Sequence, residues 1–117
     1  MTKQIIGAQG EVTIIKIDAL PKGIKTKPAE QDAHGRFIIA HSESGHHHVL
    51  TGGNVMERVA DVPSGMQQFY AILKNAERLI QDAAVPHEGY DLPAGLYEFR
   101  ISREFDPFTE QARQVAD

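Results

Sequence analysis

Arg36 to Thr51 reads RFIIAHSESGHHHVLT and gathers His41, His46, His47 and His48, four of the chain's six histidines, within eight residues. Imidazole nitrogens are common ligands of first-row transition ions. Three rings on one face would hold Zn²⁺, or Fe²⁺, Mn²⁺, Ni²⁺ or Cu²⁺, and leave a position open for water or substrate. An ion held that way activates water or polarises a substrate oxygen, so metal-bound hydroxide chemistry is the reaction class to expect. His87, in the VPHE segment, is the natural remote ligand, and Glu88 or Glu57 could add a carboxylate. The candidate metal set is therefore His41, His46, His48 and His87, with zinc foremost. Clustered imidazoles also fit a solvated turn, or a packed His47 ring with its nitrogens satisfied. A pH-responsive hairpin is a further reading, because imidazolium charges repel one another as pH falls through about 6.5.

Positioning such a set falls to the two apolar arms that flank the polar turn, Arg36 to His41 and His46 to Thr51. Side chains alternate faces along a strand, so His46 and His48 share one face of their arm and His47 takes the other. If the connection is the four residues Ser42 to Gly45, His41 stands opposite His46 and three rings converge; if it is the three residues Glu43 to Gly45, His41 stands opposite His47. A one-residue slip changes the ligand set.

The rest of the chain limits what that site could be. With 117 residues and a net charge of −4, it is one ordinary domain, 1–117, without the basic field that duplex or anionic-membrane binding requires. Only Lys16 to Lys27 is locally basic, and it reads as a solvated loop. There is no cysteine, which removes disulfides, thiolate zinc sites and cysteine nucleophiles together. The N-terminal MTKQIIGAQG is too short an apolar run for a signal segment, and nothing approaches a membrane span, so a cytoplasmic protein is expected. Ser42 and Ser44 lie near histidines without a G-x-S-x-G elbow, which argues against a serine triad. Tyr97, Phe99, Phe105 and Phe108 read as core residues.

Glu11 to Ile17 (EVTIIKI) alternates as a β-branched strand, and Asp18 to Gly35 follows as a long irregular connection. Thr51-Gly52-Gly53-Asn54 is a turn, after which Val55 to Ala60 forms a further strand. Leu96 to Phe105 is the clearest long strand. Asp106 can cap a short C-terminal helix with Pro107 at its first position. Met66 to Ala84 supports two readings: a 3.6-residue apolar stripe argues helix, whereas FYAIL followed by Lys74-Asn75 fits two strands and a turn. Mostly β structure is therefore expected, as a small antiparallel β-barrel or β-sandwich with a short C-terminal helix.

GEVTIIKIDALPKG followed by IIAHSESGHHHV, together with VPHEGYDLPAGLYEFRISREFDPF and the ending RQVAD, resembles a family of small uncharacterised bacterial and phage-associated proteins. That resemblance covers most of the chain and favours the two-strand reading of Met66 to Ala84. It implies the pairing of a GH-x-H element with a later His-Glu ahead of an LPAG strand, matched here by His46, His48, His87 and Glu88. The H-x-H on a hairpin is also similar to cupins, in part. A cupin would place a glutamate about four residues after His48, where Gly52 and Gly53 stand, and its remote histidine after the P-x-G turn, whereas His87 precedes Pro93. Two functions follow as expectations. One is a metal-binding β-domain with cupin-like or hydrolytic activity. The other is a non-enzymatic module, such as a phage accessory or capsid-decorating subunit, with self-association expected and no nucleic acid or membrane partner.

Overall fold

The computed structural model describes residues 3–41, 47–81 and 89–102. Among them are ten strands and no helix: β1 (Lys3–Gln9), β2 (Val12–Ile17), β3 (Thr26–Pro28), β4 (Phe37–Ala40), β5 (His48–Leu50), β6 (Asn54–Arg58), β7 (Met66–Leu73), β8 (Glu77–Gln81), β9 (Tyr90–Leu92) and β10 (Gly95–Ser102). Every strand pairing is antiparallel. The strands form a six-stranded sheet A, in the order β1-β2-β10-β7-β6-β3, and a four-stranded sheet B, in the order β4-β5-β8-β9.

The two sheets face each other over one core, so of the two architectures expected from the sequence the sandwich stands and a closed barrel does not. Val12, Ile14, Phe69, Ala71, Tyr97, Phe99 and Ile101 of sheet A meet Ile39, Leu50, Leu79 and Leu92 of sheet B in a single apolar cluster. Tyr97 donates its hydroxyl hydrogen to Pro93 O at 2.7 Å, and burial pushes its pKa up. Burying such apolar surface contributes roughly 25 cal/mol per Å².

Met66 to Gln81 forms two strands, with Lys74-Asn75 between them. Its helical stripe has a simple origin. Phe69, Ala71 and Leu73 face the sandwich interior, while Tyr70, between them in sequence, is buried on the other side of sheet A with Ile15 and Ile17. A strand buried on both faces reads as a nearly continuous apolar run, which periodicity cannot tell from a helix. The long Asp18 to Gly35 connection holds one short strand, β3. The C-terminal helix expected from Asp106 lies outside the described residues, as does the end of the strand read as Leu96 to Phe105.

Both margins of the sandwich are laced. On one side, Ala29 N donates to Val55 O at 3.1 Å and Ile38 N to Glu30 O at 2.8 Å, which leads β3 round to β4. On the other, the β1–β2 register shifts between Ile5 and Gly7, a bulge that swings the second half of β1 towards sheet B. Tyr90 then packs on Gly7, where a Cβ would lie 2.4 Å from its ring, and its hydroxyl accepts from Ala8 N at 3.3 Å.

Candidate functional site

The β1 bulge delivers Gln9 into the sandwich beside His48. His48 is buried, and its Nδ1 lies 2.8 Å from Gln9 Oε1, while Gln9 Nε2 donates to Leu79 O at 3.1 Å. The bond to Leu79 fixes which end of the amide is the acceptor, so His48 donates from Nδ1 and its Nε2 is the bare nitrogen. That ring edge abuts Gly10, whose φ of 56° belongs to the left-handed region and whose missing Cβ would stand 3.1 Å from Cε1 and Nε2. Burial lowers the His48 pKa, and the nearby Glu11 charge raises it by less. The ring is therefore held neutral in a three-part chain, His48 to Gln9 to the Leu79 carbonyl.

His41 and His47 sit elsewhere. The pairing of Ala40 with His48, carried one step further, sets His41 opposite His47, the second of the two registers open in the sequence. Their rings meet edge to face, with centroids 4.7 Å apart and planes at 72°. His41 Nε2 also lies 2.9 Å from Glu30 Oε2, and both side chains are more than half exposed. Because faces alternate along β5, His48 turns inward with Leu50 while His47 turns away from it. The structure thus brings His41 and His47 together and does not bring His48 to them. His46, His87 and Glu88 lie outside the described residues. Glu57, the other candidate carboxylate, faces Lys27 at 3.9 Å and Gln67 at 3.4 Å. Among the described residues, no group of three His, Cys, Asp or Glu side chains is placed to hold a metal ion.

Two features went unread in the sequence. Glu98 is fully buried on the outer side of sheet A, where Lys3 Nζ lies 3.1 Å from Oε1 and Arg100 Nε donates to Oε2. Glu98 shares the outer face with Leu96, while Tyr97, Phe99 and Ile101 face the sandwich interior, and nothing in the type or spacing of Glu98 sets it apart from a solvated strand carboxylate. The second is β1 itself, an edge strand with Ile5 71% and Ile6 38% exposed. Its signal was the short apolar Ile5-Ile6 pair ahead of Gly7 and Gly10.

A family model, Domain of unknown function (DUF8820), matches residues 8–102. The chain belongs to the DUF8820 family. The match takes in β2 to β10 together with the last two residues of β1, so the His48–Gln9 chain lies within the DUF8820 span and the Lys3–Ile6 edge precedes it. No curated protein and no solved structure matches the chain. No helix among the described residues of this DUF8820 domain is long and apolar enough to cross a membrane.

Proposed function

We propose that this DUF8820 domain is a non-enzymatic interaction module, one that acts by associating with protein rather than by transforming a substrate. The observation that carries this reading is the fate of its reactive side chains. His48 is engaged by Gln9 inside the core, His41 by Glu30, and Glu98 by Lys3 and Arg100, while what the described surface leaves open is an apolar sheet edge. A general base must come within hydrogen-bond reach of the proton it takes, and His48, buried with its bare Nε2 against Gly10, offers no such approach.

A second reading keeps a divalent metal, zinc foremost, at the histidine rim, with cupin-like or hydrolytic chemistry. It is favoured by the contact of His41 with His47 next to Glu30, because two imidazoles and a carboxylate are the beginning of a coordination sphere. It would draw its remaining ligands from His46 and His87. His48 would join only by turning out of the core and surrendering its bond to Gln9.

Metal analysis of protein purified without a nickel column separates the two. The interaction reading expects no stoichiometric metal and no rise in melting temperature on adding Zn²⁺. One retained equivalent, lost in His46→Ala and in His87→Ala, would overturn it in favour of the metal site.

A further inference from the structure

We infer that β1 is an association edge that pairs antiparallel with β1 of a second copy of this chain, so that sheet A runs through both copies. This rests on the reading of the domain as an interaction module and names the partner. β1 closes the strand order of sheet A, and from Lys3 to Ile6 its outer side has no strand beside it among the described residues. Beyond the bulge the same edge is closed, because Tyr90 takes the Ala8 N–H and covers Gly7. The open part is therefore a defined half-strand.

Proteins guard free edges with charges, lysine above all, because bare backbone donors and acceptors template pairing. The lysine at this edge is diverted. Lys3 Nζ lies 3.1 Å from Glu98 Oε1, a fully buried carboxylate on β10, two strands from β1 with β2 between them, so its ammonium is drawn over the face of sheet A and away from the edge. Among the described residues, what remains along the edge is Gln4, Ile5 and Ile6, three uncharged side chains that do not repel an identical strand.

The faces also match. A twofold axis perpendicular to the sheet makes two β1 strands antiparallel and keeps the same face of each copy on the same side. Ile5 stands opposite Ile15 in the register, on the side where Ile15, Ile17 and Tyr70 form the second apolar cluster. Pairing would place the Ile5 side chains of the two copies side by side and extend both clusters across the dyad. A half-strand seam is small for an interface, so the dimer is weak and concentration-dependent. The family match begins at Ala8, so the inference concerns this chain and not the family at large.

Sedimentation velocity across a dilution series of the full chain tests it, with Ile5→Lys, Ile6→Lys and Val59→Lys alongside and circular dichroism melts to verify folding. Ile5 is exposed enough to be replaced without disturbing the core, and Val59, 50% exposed beyond the end of β6, is an apolar surface control away from the edge. The wild type and Val59→Lys are expected to move from monomer towards dimer as concentration rises, while both edge variants stay monomeric. Amide exchange at Gln4 to Ile6 should slow in step with the wild-type dimer. A monomer at every concentration, or a dimer that survives both edge substitutions, would overturn β1 pairing. Either of those results leaves the non-enzymatic reading in place unless metal analysis has independently removed it.

Discussion

His48 carries the strongest residue-level consequence, because its two ring nitrogens live in different surroundings. Replacing it by leucine keeps the apolar bulk but leaves Gln9 Oε1 buried without a donor, a loss of about 1–3 kcal/mol that urea unfolding would register. The pH dependence follows from burial, which sets the folded pKa below the ordinary value of 6.5. Above that value neither state holds the proton and the full contribution is present. As pH falls below it, the unfolded chain binds a proton that the fold resists, so stability is lost until the folded pKa is passed. The advantage of the wild type over His48→Leu is therefore expected to shrink as pH is lowered through that window. An advantage that grows on acidification would mean the folded ring welcomes its charge.

At the scale of elements, the β1 bulge matters more than its length suggests, since one irregularity joins an edge strand to the opposite sheet. Gly7→Ala would put a Cβ into the Tyr90 ring and is expected to speed exchange of the Ala8 amide and lower the melting temperature. Tyr90→Phe removes only the exposed hydroxyl acceptor and should cost less than about 1 kcal/mol. Equal losses in the two variants would show that the hydroxyl, and not the fit of ring on glycine, secures this margin.

β2, β6 and β10 were legible in the sequence because alternating residues and clear turn signals delimit them, whereas β7 was legible only as one of two readings, its apolar stripe fitting a helix equally well. The register of the histidine hairpin was legible only as a pair of alternatives. Its outcome depends on the shift at β4 between Ile38 and Ala40, which no local pattern announces. β1, β3 and β9 escaped notice because they are short or peripheral strands whose conformation is set by neighbours distant in sequence. The same holds at the candidate site. His48 stood out by type and spacing, whereas its partner Gln9 is 39 residues away and nothing in either residue points to the other.

For the molecule as a whole, one apolar cluster shared by two sheets bears the fold, and the histidine rim is an appendage to it. Leu79 illustrates the hierarchy: it is fully buried between the sheets, and its carbonyl receives the Gln9 amide. Leu79→Ala should cost about 2–5 kcal/mol in cooperative unfolding, with the excess over simple transfer reflecting the cavity left behind. His41→Ala, at the exposed rim, should change stability by less than about 0.5 kcal/mol. A rim substitution that rivals the core one would place His41 in a structural role of its own.

Whether the central histidine belongs to the core or to a reactive centre is settled most directly by ring-nitrogen NMR of the histidines during a zinc titration. His48 is expected to carry its proton on Nδ1, to leave Nε2 bare, and to keep both resonances fixed as zinc is added. A stoichiometric shift of a His48 nitrogen, moving together with those of His46 and His87, would contradict the interaction reading and establish a metal centre instead.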